Sequence, residues 1–218
     1  MNQFVKSHGL GNDYFVMDQS QISFELTPEV IQLLCHRNYG VGSDGILLLV
    51  PSDKADFGLR ILNPDGSEAE KSGNGLRIFA KYLFEHGHTD KEIFKIDTLG
   101  GIVTAELETS DGLVPFVTVE MGEAIFQSNL IPVAGEEREV VDEEINVDGE
   151  PLKITAVSVG NPHCVVFVDE LDEEYARMLG PLLETHELFP NRINVQFAKP
   201  VSRDRVEILI WERGAGWT

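Results

Sequence analysis

The chain repeats itself at long range. Gly11-Asn12-Asp13-Tyr14-Phe15-Val16-Met17-Asp18 is echoed by Gly160-Asn161-Pro162-His163-Cys164-Val165-Val166-Phe167-Val168-Asp169, and each copy is a Gly-Asn turn running into an apolar strand that ends in Asp. Helical spacing follows both. After the first copy, Thr27 and Pro28 supply an N-cap and a proline at the first helical position, with Ile31, Leu34 and Cys35 on one face. After the second, Leu171, Tyr175, Met178 and Leu179 repeat that spacing, and Gly180-Pro181 is expected to end it. The offset from Asn12 to Asn161 is 149 residues; the same offset pairs Asn63 with Glu212 and Gly45 with Asn194, polar or turn positions near strand ends. Two similar halves are expected, residues 1–120 and 121–218, with the boundary falling in 120–132.

Short strands are expected at about 57–62, 94–98, 102–107, 114–121, 154–159, 165–168, 193–198 and 206–211. Many alternate in hydrophobicity, as in Phe57, Leu59 and Ile61. Strands dominate and do not alternate regularly with helices, so the fold class is α+β rather than β-α-β.

The segment richest in chemistry is Asn63-Pro64-Asp65-Gly66-Ser67-Glu68-Ala69-Glu70-Lys71-Ser72-Gly73-Asn74-Gly75, a polar loop that opens into an apolar helix. Leu76, Phe79, Ala80, Leu83 and Phe84 fall on one helical face, and Ile78 and Tyr82 widen the stripe. Such a helix is expected to be covered on most sides. Its N-terminus offers free backbone N–H groups and a positive dipole end, which suit a substrate carboxylate or an ionised group at Ser72. The plainer reading is that Gly73 and Gly75 only permit a tight turn, with Asn74 as the cap. His8 and His163 also lie in Gly/Asn turns, and His163, held with Asn161 at a strand start, is a candidate for either a structural or a functional role.

Acidic residues outnumber basic ones by 37 to 17, a formal charge of −20. That charge repels nucleic-acid phosphates and anionic membrane surfaces. The acidic runs at 136–144 and 169–174 read as solvated faces. The first residues lack a basic and apolar leader, and no apolar run approaches membrane-spanning length, so a cytoplasmic protein is expected. Cys35 and Cys164, the two cysteines, show no metal spacing and read as small buried hydrophobes. No metal site is indicated.

Five motifs in order along the chain resemble the signature set of the diaminopimelate epimerase family. They are His8-Gly9-Leu10-Gly11-Asn12-Asp13, Asn63-Pro64-Asp65-Gly66-Ser67-Glu68, Gly73-Asn74-Gly75, Gly160-Asn161-Pro162-His163 and Glu212-Arg213-Gly214-Ala215-Gly216. The resemblance implies two similar domains, each a mixed β-sheet wrapped around a central helix, with an amino-acid substrate in the cleft between them. It implies two cysteines on opposite sides of the substrate α-carbon, one removing a proton as thiolate and the other returning one, without pyridoxal phosphate or a metal. By motif position Asn12, Asn63, Gly73, Asn74, Asn161, Asn194, Glu212 and Arg213 would bind the amino acid, while the position of Ser72, with His163 and Glu212, would carry catalysis. The expected partner is a small amino acid, with neither nucleic acid nor membrane, and a homodimer is compatible with it.

Two departures stand out. The first catalytic position is Ser72, and a hydroxyl is a far weaker acid than a thiol, so it needs a general base that the motifs do not supply. The 149-residue offset carries position 72 to 221, three residues past Thr218, so the second domain is expected to continue with its catalytic residue and central helix beyond that point. The leading expectation is interconversion of LL- and meso-diaminopimelate. The alternatives are a racemase, epimerase or dehydratase of another amino acid, an amino-acid-binding homologue without the cysteine pair, and an enzyme silenced by replacement at position 72.

Overall fold

The computed structural model describes residues 2–218. The chain divides into two units, Met1–Gly122 and Glu123–Thr218.

In the first unit, β1 (Val5–Gly9) and β2 (Asn12–Asp18) form a hairpin over Leu10 and Gly11. Both turn residues have positive φ, as a two-residue hairpin loop requires. The helix α1 (Pro28–Cys35) follows, and the side chain of its N-cap Thr27 accepts from the Val30 N–H. Strand β3 (Ile46–Val50) runs parallel to β2, and β4 (Phe57–Leu62) antiparallel to β3. The short β5 (Glu68–Ala69) folds back on the end of β4 and leads into α2 (Gly73–Glu85). Then β6 (Ile93–Thr98), parallel to β4, starts a meander through β7 (Gly101–Ser110) and β8 (Leu113–Glu120).

The sheet order is β1-β2-β3-β4-β6-β7-β8, and α2 packs against β1 and β2 near one edge and β7 and β8 at the other. A sheet whose two ends meet one helix must curl around it. Leu76, Phe79, Ala80 and Leu83 of α2 are fully buried against Tyr14, Val16, Leu47, Ile61 and Ile96 of the strands. Each fully buried Leu or Phe contributes roughly 1.5–3 kcal/mol, so the apolar stripe is what fixes α2 inside the sheet. The other face of β2, β3 and β4 packs on α1 through Phe15, Met17, Ile46, Leu48 and Leu62.

The second unit holds β9 (Glu143–Val147), β10 (Glu150–Ser158), β11 (Pro162–Phe167), α3 (Glu173–Glu184), β12 (Asn194–Ser202), β13 (Arg205–Glu212) and β14 (Gly216–Trp217). Its sheet order is β14-β13-β12-β11-β10-β9, with β11 and β12 the parallel pair. Cys164 is buried in its core as Cys35 is in the first, and both thiols are free.

The repeat holds residue by residue. Phe15 faces Ile46 as Cys164 faces Val195; Ile46 faces Leu62 as Val195 faces Trp211; Leu62 faces Glu68 as Trp211 faces Trp217. Each pair is related by the same 149 residues. Gly11 and Gly160 even share φ, +95° and +99°. The repeat slips by one only in the first strand pair, where Ser7 faces Tyr14 but Val157 faces His163. On this correspondence α3 matches α1; among the described residues α2 has no counterpart.

Several expectations need correction. Gly180-Pro181 does not end α3, which runs on to Glu184. A proline inside a helix costs about 3 kcal/mol, and burial of Leu179 and Leu183 in the unit's core offsets it. Gly180 remains in the helix because the Trp211 side chain lies against it, where a Cβ would meet the indole at 2.7 Å. The buried face of α3 is Ala176, Leu179, Gly180 and Leu183, whereas Tyr175 and Met178 are exposed. The cap of α2 is Ser72 rather than Asn74. Strands β1, β3, β5, β9 and β14 were not among those expected, and β7, β10 and β12 are longer than their apolar cores suggested.

Candidate functional site

Ser72 stands at the N-cap of α2 with extended backbone (φ −141°, ψ 117°), and its Oγ accepts from the Gly75 N–H at 3.0 Å. The approach is tight by design of the sequence: a Cβ on Gly75 would meet Leu47 Cδ2 at 2.9 Å and Ser72 Oγ at 3.2 Å. The phenol of Tyr14, from β2, lies 3.3 Å from Ser72 Oγ. Lys71 is buried beside Ser72 with Nζ donating to the Met121 carbonyl at 3.2 Å, and burial holds its pKa below the ordinary lysine value.

Asn12 opens β2 and is buried. Its Nδ2 donates to Asp44 Oδ2 at 3.1 Å, which leaves Oδ1 to accept from Asn74 Nδ2 at 3.4 Å. Arg77 in turn donates to Asn74 Oδ1. Behind Asn12, Arg37 bridges Asp13 and Asp44 at 2.8 and 2.5 Å, and Lys6 pairs with Asp13 at 2.9 Å. Burial alone would raise the Asp13 pKa, but the hydrogen bonds and charges of Arg37 and Lys6 outweigh it and hold it at about 2. Asn63 follows β4, buried, with Nδ2 on Ser67 Oγ at 3.0 Å inside a turn that Gly66 closes. The fold therefore gathers Asn12, Ser72 and Asn74 directly, with Gly73 between the last two.

In the second unit, Asn161 Oδ1 accepts from His163 Nε2 at 3.0 Å, and Gln196 Nε2 donates to His163 Nδ1 at 2.9 Å. This pattern fits the neutral imidazole with its proton on Nε2. Burial, with the nearby Arg213 charge acting the same way, pushes the His163 pKa below its ordinary value despite the Gln196 hydrogen bond. Asn194 is a clasp: Nδ2 donates to the Pro162 carbonyl at 2.9 Å and Oδ1 accepts from the Arg213 N–H at 3.0 Å. It ties the start of β11 to the turn after β13, the turn that carries Glu212 and Arg213.

That turn has a second anchor. The buried carboxylate of Glu184, at the end of α3, accepts from Trp211 Nε1 at 2.7 Å, the Gly214 N–H at 3.0 Å and Arg192 at 3.2 Å. The Glu184–Arg192 pair occupies the repeat position of Cys35 and Ser43, whose Oγ donates to the thiol at 3.4 Å. Tyr14, Asp44, Gln196 and Glu184 are the site neighbours that sequence reasoning missed. For Tyr14 a signal existed, since the 149-residue offset carries it onto His163. For Asp44, Gln196 and Glu184 the partners lie 27 or more residues away or across a turn, and no motif marks them. No group of three or more His, Cys, Asp or Glu side chains among the described residues could hold a metal ion.

A family model described as diaminopimelate epimerase matches residues 4–127 and 155–218. The chain belongs to the diaminopimelate epimerase family. Over 217 residues it is 52% identical to diaminopimelate epimerase 2 of Nostoc sp., covering 99% of this chain and 75% of that protein. It is 44% identical to the diaminopimelate epimerase of Pelotomaculum thermopropionicum, over 99% of this chain and 78% of the relative. Among solved structures it is similar to a hydroxyproline epimerase from Agrobacterium vitis, with a TM-score of 0.75 at 18% identity, over 97% of this chain and 70% of that one. A probable proline racemase from Agrobacterium radiobacter gives 0.73 at 18% identity, over 97% and 71%. At that identity the likeness is one of fold, and it agrees with two similar α+β units. No helix of the described residues is long and apolar enough to cross a membrane.

Proposed function

We propose that the chain is a diaminopimelate epimerase that interconverts the LL and meso isomers by cofactor-independent transfer of the α-proton, a step in the synthesis of lysine and peptidoglycan precursors. The observation that carries this reading is Ser72 Oγ at the N-terminus of the buried helix α2, beside the hydrogen-bonded pair Asn12 and Asn74. Three backbone features suit an α-amino acid there: N–H groups of the first helical turn for the carboxylate, the positive dipole end for a developing anion, and a buried setting that strengthens both. In this reading Ser72 stands where the family uses a catalytic cysteine. Asn12, Asn63, Gly73 and Asn74 bind the substrate together with Asn161, Asn194, Glu212 and Arg213, and His163 and Glu212 assist proton transfer.

The roles are not all of one kind. Asn194 has both ends of its amide engaged with backbone, so besides facing the substrate it holds the Arg213 turn. His163, half-buried and with its pKa held below the ordinary imidazole value, suits a group that orients a partner rather than one that supplies charge. The same reading makes the protein cytoplasmic, with a small amino acid as its partner and neither nucleic acid nor membrane, and is compatible with a homodimer; the charge of −20 supports the absence of nucleic acid.

The hydroxyl at position 72 favours a second reading, a homologue that binds the amino acid or acts on a different one. Incubating the purified protein with LL-diaminopimelate separates the two. Appearance of the meso isomer without added cofactor supports the epimerase. Binding of the isomer with no conversion, in the parent and in Ser72→Cys alike, leaves the binding protein. No binding, with proton exchange on another amino acid, keeps the mechanism and replaces the substrate.

A further inference from the structure

The reading above leaves Ser72 without a base. Tyr14 lies two residues after Asn12, 3% exposed, with its ring in the core around α2 and its hydroxyl 3.3 Å from Ser72 Oγ. A phenylalanine would fill the same volume; a buried phenol is accommodated only with a hydrogen-bond partner. The repeat sets Tyr14 at the position of His163, so each unit carries a side chain able to hold or pass a proton at the same place in its second strand. Lys71, next to Ser72 in the chain, is directed at the Met121 carbonyl.

Resting on the epimerase reading, we propose that Tyr14 is the positioning residue of Ser72: its phenolate takes the Ser72 hydroxyl proton as Ser72 Oγ takes the substrate α-proton. The balance is complete. The Cα–H bond breaks and its electron pair stays on the α-carbon, the α-proton passes to Ser72 Oγ, and the proton that Oγ held passes to the Tyr14 oxygen. The Gly75 N–H occupies one lone pair of Oγ throughout and holds the atom at the mouth of the helix dipole. A phenol ionises near pH 10 in water, far below an alkyl hydroxyl, so it can act as acceptor where serine alone cannot. The phenolate fraction grows about tenfold per pH unit below the point at which the group ionises.

The test is the pH profile of kcat/KM for α-proton exchange in four proteins: the parent, Tyr14→Phe, Ser72→Cys and the double variant. In the parent the rate rises about tenfold per unit between pH 7 and 9. Tyr14→Phe lowers it by about 100-fold or more and flattens the rise. In the Ser72→Cys background the same change costs less than about threefold, because a thiolate needs no proton acceptor. Equal losses in both backgrounds with unchanged profile shapes mean that Tyr14 only packs, and overturn the proposal. If none of the four exchanges a proton, the epimerase reading fails, and ultraviolet titration of the Tyr14 phenol, isolated by difference against Tyr14→Phe, decides for the pair itself. A curve moved by Ser72→Ala supports a shared proton; an unmoved curve overturns it.

Discussion

Gly75→Ala tests whether the closeness of α2 to β3 is what sets Ser72. Replacing glycine by alanine inside a helix gains about 1 kcal/mol of propensity. Against that, the new Cβ would meet Leu47 Cδ2 at 2.9 Å, and Leu47 is fully buried. Overpacking of this kind costs about 1–3 kcal/mol. Relief requires the first turn of α2 to move away, which stretches the 3.0 Å bond from the Gly75 N–H to Ser72 Oγ, a cap worth about 1 kcal/mol. The net expectation is a loss of about 1–3 kcal/mol and a larger proportional loss of activity. Gly73→Ala is the control with the opposite sign. Its Cβ would meet nothing closer than Arg77 Nη1 at 3.7 Å, so the first unit should gain about 0.4–1 kcal/mol. Both are read by urea unfolding followed by far-ultraviolet circular dichroism, because Trp211 and Trp217, the two tryptophans, report only on the second unit. With a slope of about 1–3 kcal/mol per molar urea, the two midpoints should move apart by roughly 1 M. Equal shifts, or a stabilised Gly75→Ala with parental activity, would refute the packing argument.

Ser72→Cys should raise kcat/KM near pH 8 by about tenfold or more, since a thiol at a helix N-terminus is largely ionised there and a hydroxyl is not; a lower rate in a folded variant argues against proton transfer at this position. Glu184→Gln should destabilise the second unit by about 1–3 kcal/mol, seen by tryptophan fluorescence, because three donors converge on the carboxylate and an amide places an NH2 among them. An unchanged midpoint would show that the Glu212–Gly216 turn does not depend on it. Asp13, held at about 2 against an ordinary 3.8, contributes stability that is full above pH 3.8 and is lost as pH falls towards 2. Replacing Lys6 and Arg37 together by Met should move that acid loss of the first unit to higher pH, and an unmoved acid transition in circular dichroism would contradict the assignment.

Much of the fold could be read from the chain because its strongest signals are local. The Gly11-Asn12 and Gly160-Asn161 turns announce themselves by composition, and the width of the Leu76–Phe84 stripe announces a covered helix. Strand β3 escaped the strand reading because Ile46, Leu47, Leu48 and Leu49 are buried on both faces, between α1 and α2, and so show no alternation. The course of α3 past Pro181 was not legible either, since it depends on burial of Leu179 and Leu183 in the unit's core, while the Trp211 side chain, from a strand 31 residues on, packs on Gly180. At the site, Ser72, Asn12 and Asn74 follow from motif and turn chemistry. Tyr14 reads locally as one more apolar strand residue, and the contact of its hydroxyl with Ser72 exists only in the folded chain.

Cofactor-independent epimerisation is tested most directly by α-hydrogen exchange. Dialysed protein is incubated with LL-diaminopimelate in deuterated water and followed by proton NMR. Loss of the α-proton signal in step with formation of meso-diaminopimelate, deuterated at the inverted carbon, is the predicted result. Conversion that retains the original α-hydrogen, or binding without exchange in both the parent and Ser72→Cys, would contradict it.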